Sequence, residues 1–178
     1  LSLHDALPIA GLEQAGAIAE RLIDVPRLLA DAKDALVETM RAIAIRHPQI
    51  VFHFSHGKAS SPRYEQSGNF HEYPFISYND YLPRYDLVVH HGGSGILNHC
   101  LRHGKPAVVF PHDYDQFDFA ARLVHAGLAL RANGPEELES LILKALEDQE
   151  LKERCQAIST IHQGYDAEGH VLKWVEAM

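Results

Sequence analysis

The chain is poor in cysteine, having only Cys100 and Cys155, and their spacing fits no metal or redox motif. Two cysteines in 178 residues make no disulfide framework, so the expected setting is a reducing cytoplasm. Positive charge is also scarce: 16 lysines and arginines face 24 acids, for a net charge of −8. That balance argues against a nucleic-acid footprint. No apolar run approaches the roughly 18 residues of a membrane span, so no transmembrane segment is expected. Repeats and low-complexity segments are missing too. The chain starts at Leu1 rather than methionine, and residues 1–9 lack the basic-then-apolar layout of a signal peptide. They are expected to be a non-native or disordered start to a chain truncated at its N-terminus, with residues 10–178 forming one domain.

Helical and strand-like patterns alternate along that domain. Residues 12–23 carry Leu12, Ala15, Ile18, Ala19 and Leu22 on one helical face, and Pro26 breaks the pattern. A second helix is predicted over residues 28–46, followed by a strand over 50–54 and a polar loop over 55–68. Residues 69–76 read as a short strand and 79–84 as a helical turn. Residues 127–131 read as a last strand, and helices are predicted over 135–146, 150–162 and 167–178. Strands alternating with helices predict an α/β fold, a doubly wound parallel sheet flanked by helices.

The most informative stretch runs from Asp86 to Arg131. An apolar strand, Asp86-Leu87-Val88-Val89, leads into His90 and His91, the turn Gly92-Gly93-Ser94-Gly95, and at once a helical pattern. Strand, glycine turn and helix together aim unpaired helix N-terminal N–H groups and the positive end of the macrodipole at an anion. A second strand, Ala107-Val108-Val109-Phe110, ends at Pro111 and enters the polar loop His112-Asp113-Tyr114-Asp115-Gln116. Ligands of open α/β sheets bind at such strand ends. Asp115 accepts hydrogen bonds and Gln116 both donates and accepts, so the pair can read sugar hydroxyls. Asp115 can equally cap the helix that follows.

HHGGSG followed by GKPAVVFPHDYDQFDFAARL resembles the donor-binding motif of family 1 nucleotide-sugar glycosyltransferases, GT-B enzymes with sterol, macrolide and UDP-glucuronosyl members. The resemblance implies one Rossmann-like lobe of a GT-B fold. It implies a UDP-sugar donor, a UDP-hexose in kind, and hexosyl transfer to an acceptor hydroxyl. His90 and His91 with Gly92, Gly93, Ser94 and Gly95 would hold the diphosphate, and Asp115 and Gln116 the sugar. Phe75, Ile76 and Ser77 fall where the family receives the base, although Phe75 fits a core position as well. Asn98 stands where a ribose-binding Glu is usual. No metal or other cofactor is implied, since the nucleotide-sugar is a co-substrate. Catalytic residues stay unassigned, because the family's general base lies in an acceptor lobe that this sequence lacks. That lobe would be supplied in cis or by a partner subunit. The alternative is a non-catalytic nucleotide-sugar-binding subunit that needs such a partner.

The family lobe opens with an apolar strand ending in Gly-Ser or Gly-Thr, and no such strand is evident before Leu28. An exposed sheet edge is therefore expected, beside an apolar stripe of Val171, Leu172, Val175 and Met178 near Trp174. His99 and His103 have the i, i+4 spacing of metal ligands, but HExxH is absent and structural histidines are expected.

Overall fold

The computed structural model describes residues 21–25, 30–57 and 64–165. Among these residues seven strands form one sheet: β1 (Arg21–Val25), β2 (Ile50–Ser55), β3 (Glu65–Ser67), β4 (Phe70–Tyr73), β5 (Leu87–His90), β6 (Ala107–Val109) and β7 (Ala129–Arg131). Their order is β3-β4-β2-β1-β5-β6-β7. Every pairing is parallel except β3 with β4. The helices are α1 (Ala30–Arg46), α2 (Tyr78–Tyr81), α3 (Ser94–His103), α4 (Gln116–His125), α5 (Leu138–Glu147) and α6 (Gln149–Gln163). Short 3-10 turns at Leu82–Arg84 and Pro135–Glu137 complete the set.

Alternate residues of a strand point to opposite faces, and here both faces are buried. Phe52, Phe54, Phe70, Leu87, Val89 and Val108 share one core with Leu36, Met40 and Ile43 of α1 and Leu138, Ile142 and Leu146 of α5. On the other face, Val88 packs with Tyr85, Ile96 and Cys100, and Val109 with Ala120 and Leu123 of α4. Helices thus cover both sides of a mainly parallel sheet, as the alternating pattern predicts.

The sequence reading needs two corrections. Residues 21–23, read as the end of a helix, lie in β1; residues 12–20 fall outside the described residues. β1 is also the strand that seemed to be missing before Leu28. It pairs with β2 along its length and with β5 at Ile23 and Asp24, so it sits in mid-sheet and no edge is left open there. Non-local pairing on both sides outweighs the local helical period. The five residues are followed by Pro26, so the expected Gly-Ser ending is still absent. The polar loop also holds an unforeseen element, β3, whose three residues are all exposed and which hydrogen-bonds to β4. The stripe around Trp174 and the helix predicted over 167–178 fall outside the described residues.

Helix ends are set by identifiable residues. α3 stops at Gly104, which is left-handed with φ 63° and donates to the Cys100 and Leu101 carbonyls. α6 locks onto that end, with the Ser159 hydroxyl donating to the Arg102 carbonyl at 2.7 Å. At the start of α6, Asp148 Oδ1 accepts from the Leu151 amide at 2.8 Å. Asp148→Ala is expected to cost about 1 kcal/mol of stability, as loss of an N-cap does, measured by urea unfolding. Among the described residues, no helix is long and apolar enough to cross a membrane.

Candidate functional site

Strand order fixes where a ligand can sit. The chain runs outward from β1 through β2 to β4, then returns across the sheet to β5, so β1 and β5 flank the switch point. In such sheets the crevice lies outside the carboxyl ends of the strands at that point. β5 ends at His90, and the glycine turn leaves from there.

The turn prepares the start of α3 for an anion. Gly93 is the N-cap and offers no capping side chain. The first amides of the helix, those of Ser94, Gly95 and Ile96, have no intrahelical acceptor, and the positive end of the dipole lies among them. A Cβ added to Gly95 would meet nothing within 4 Å, so this end is open. Gly92 has φ +94°, and a Cβ there would stand 3.2 Å from the Gln116 carbonyl oxygen and from Val109 Cγ1. The turn after β5 therefore packs closely on the first residue of α4, and its positive φ favours glycine. His91 folds back on the turn; a Cβ on Gly93 would meet its Nε2 at 2.5 Å.

His90 is buried, and its Nδ1 accepts from the Gly92 amide at 3.0 Å. The imidazole nitrogen that accepts carries no proton, so in the neutral ring Nε2 is the donor. That Nε2 is buried with no hydrogen-bond partner among the described residues. Burial, with His91 adding to it, pushes the His90 pKa down to about 3. His90 is therefore a neutral donor at physiological pH, not the cation that a diphosphate contact might suggest.

The second loop is held from within. Gln116 Oε1 accepts from the His112 amide at 2.9 Å and the Asp113 amide at 3.1 Å. Asp115 occupies the N-cap position of α4, but its exposed side chain makes no capping bond. The alternative of a pure helix cap thus loses its support. Between them Tyr114 takes a left-handed φ of 43° and is 87% exposed. His112 lies with its ring edge-on to Phe110 at 4.3 Å, and burial lowers its pKa.

The base and ribose positions are more scattered. Phe75 is 50% exposed, so it is not a core aromatic. The Ile76 amide donates to Ser55 Oγ at 3.3 Å, and the Ser77 hydroxyl to Asp80 Oδ2 at 2.5 Å. This segment leads into α2, where Tyr78 stands 5.5 Å from the ring of His99 on α3. Asn98, one turn into α3 from Ser94, pairs through Oδ1 with His162 Nε2 of α6 at 2.9 Å. Sequence gave no sign of that partner, which is 64 residues away. The rings of His99 and His103 are parallel with centroids 6.4 Å apart, and no group of three or more potential metal ligands occurs among the described residues.

Comparison with known proteins agrees with this fold. The family described as erythromycin biosynthesis protein CIII-like, C-terminal domain, matches residues 37–167. A sterol 3-beta-glucosyltransferase of Vanderwaltozyma polyspora is 36% identical over 99 residues, covering 52% of this chain and 8% of the yeast protein. UDP-glucuronosyltransferase 3A1 of Xenopus laevis is 31% identical over 110 residues, covering 57% of this chain and 21% of its own length. Among solved structures, a spinosyn rhamnosyltransferase complexed with thymidine diphosphate superposes with a TM-score of 0.70 at 20% identity. That match covers 91% of this chain and 47% of the other. The chain thus spans less than half the length of each of these proteins.

Proposed function

The chain belongs to the family of erythromycin biosynthesis protein CIII-like C-terminal domains, the donor-binding domain of family 1 GT-B glycosyltransferases, and from that premise we propose that it holds a UDP-hexose for transfer to an acceptor hydroxyl. The observation that carries the reading is the pairing of an uncapped α3 N-terminus with the buried, unpartnered Nε2 of His90.

In this reading the diphosphate lies against Gly92, Gly93, Ser94 and Gly95, and the Ser94 to Ile96 amides donate to its oxygens. His90 Nε2–H adds a neutral donor whose orientation is fixed by the Gly92 amide. His91 lines the turn. As the glycosidic bond to the leaving diphosphate breaks, negative charge grows on oxygens that already face these donors, which stabilises the transition state without reorganisation. No metal is required for that neutralisation. Asp115 accepts from sugar hydroxyls, with Gln116 beside it. Phe75 stacks on the base, with Ile76 and Ser77 adjoining, and Asn98 meets the ribose. The acceptor and the general base that deprotonates it belong to a second lobe, in cis or as a partner subunit.

A thermal-shift panel of UDP, UDP-glucose, thymidine diphosphate and TDP-glucose tests the reading, because a ligand at 100 times its Kd adds about 2.7 kcal/mol of stability. The UDP pair is expected to raise Tm most, with or without EDTA. A larger shift with the thymidine ligands would reassign the nucleotide, and no shift with any of them at millimolar concentration would remove the site. His90→Ala is expected to weaken UDP binding by roughly 1.5–3 kcal/mol, the range of hydrogen bonds to charged groups, by isothermal titration calorimetry.

A further inference from the structure

We infer that Gln116 acts as a positioning residue, whose carbonyl oxygen clamps the loop carrying Asp115, and that it offers the donor sugar only its amide hydrogens. The inference rests on the donor-binding reading for the ligand, but the clamp itself is a property of the free protein.

Four observations converge on Gln116. Its Oε1 takes two backbone N–H groups at once, those of His112 and Asp113, at 2.9 and 3.1 Å. Because both partners are donors, the amide orientation is settled: the oxygen faces the loop and the NH2 faces away. The loop it closes holds Tyr114, the sole non-glycine residue with positive φ among the described residues. That conformation is further tied by the Tyr114 amide donating to Asp113 Oδ1 at 3.0 Å. Finally, the Gln116 backbone carbonyl is the surface against which Gly92 rests.

The consequence is a division of labour. A carbonyl oxygen with two strong donors has little left for a sugar hydroxyl, whereas the exposed Asp115 carboxylate, free of any capping bond, retains its acceptor capacity. A hydroxyl bound here donates to Asp115 and accepts from the Gln116 NH2. Loss of Gln116 therefore disables Asp115 as well, because the loop that places it is released. The contacts would fail together, not one by one.

The test has one arm without ligand and one with. In amide NMR spectra of the free protein, Gln116→Ala is expected to move the His112 and Asp113 amide protons upfield as their acceptor is lost. Gln116→Glu, which keeps an oxygen in place, should hold them or move them downfield. Unmoved amides in Gln116→Ala overturn the clamp, whatever the protein binds. In the second arm, Kd for UDP-glucose and for UDP is measured for Asp115→Ala, Gln116→Ala and the double variant. Each single change is expected to weaken UDP-glucose binding at least tenfold relative to UDP, and the double variant no more than the worse single one. Multiplying losses would show two independent contacts and overturn the positioning role. If UDP-glucose binds no variant and not the parent protein, the donor-binding reading fails while the amide spectra still decide the clamp.

Discussion

Replacing Gly92 by valine is expected to abolish donor binding, lowering affinity for UDP-glucose at least a hundredfold, and to lower Tm by several degrees. The residue sits at φ +94°, where a β-branched side chain is strongly disfavoured. Its new Cβ would begin 3.2 Å from the Gln116 carbonyl oxygen and from Val109 Cγ1, both of them in or beside regular structure. Neither atom is the tip of a flexible chain, so relief must come from the backbone. Either the glycine turn lifts away from α4 or α4 moves off the sheet. The first displaces the amides at the start of α3, and the second displaces the loop of Asp115. Gly92→Ala carries the same conformational penalty, about 1–2 kcal/mol for a left-handed backbone, and should fall between parent and valine. Gly95→Ala is the contrast. It lies in a helix with open space beside it, so stability should hold or rise by up to about 1 kcal/mol. Its added methyl would nevertheless stand where the diphosphate is proposed to lie, weakening binding in a protein that melts no earlier. Calorimetric melting and titration of the three variants check this, and a Gly92→Val protein with parental affinity would separate the turn from the ligand.

Legibility in the sequence followed range. The strand–glycine–helix stretch could be read because its information is local: apolar runs, consecutive glycines and a helical period lie within some twenty residues. The helix over 28–46 and the strand over 50–54 were clear for the same reason, and they appear as α1 and β2. β1 was missed because its five residues have no meaning alone. They become a strand through β2 on one side and β5 on the other, the latter more than sixty residues away. β3 was hidden for a related reason, since three exposed polar residues show no alternation to detect.

The same limit applies within the site. Asp115 and Gln116 stood out as a pair, yet their roles diverge on a matter of direction that spacing cannot carry. One side chain turns outward, and the other turns back onto two amides of its own loop. His90 reads as a diphosphate ligand, but its charge state depends on its burial and on His91 beside it. The Asn98–His162 contact joins two helices that meet only because α6 folds back over α3. Residue types and order were legible; protonation and the facing of side chains were not.

Acidification is expected to unfold the protein near pH 4, with the loss of stability starting near pH 6.5, above the range in which paired carboxylates begin to act. Two histidines are buried in neutral form, and for each the folded pKa lies near 3. Burial is the main cause for His90, with His91 beside it, and for His53, with His71 next to it. His53 is further held by the Tyr85 hydroxyl at 2.9 Å from its Nδ1. In the unfolded chain both titrate near 6.5, so between pH 6.5 and 3 the unfolded state binds more protons and stability falls as pH falls. The contribution is complete above pH 6.5. At pH 4 each histidine has withdrawn about 3 kcal/mol, and the two together approach the whole stability of an ordinary domain, about 5–15 kcal/mol. His71, His99, His103 and His112 are shifted in the same direction and add to the loss. Urea unfolding at a series of pH values should give a slope of at least about 2.7 kcal/mol per pH unit below pH 6, the share of the two protons taken up by His53 and His90. His53→Gln should reduce that slope by about 1.4 kcal/mol per pH unit, one proton's share. A stability that stays flat from pH 7 to 4.5 would mean that these histidines reach water more freely than their burial implies. The same arrangement bears on function. Because His90 stays neutral wherever the fold survives, affinity for UDP-glucose should be level down to the onset of unfolding, then vanish with it. A binding curve that titrates near pH 6.5 while the protein remains folded would place a charged histidine, not a neutral donor, against the diphosphate.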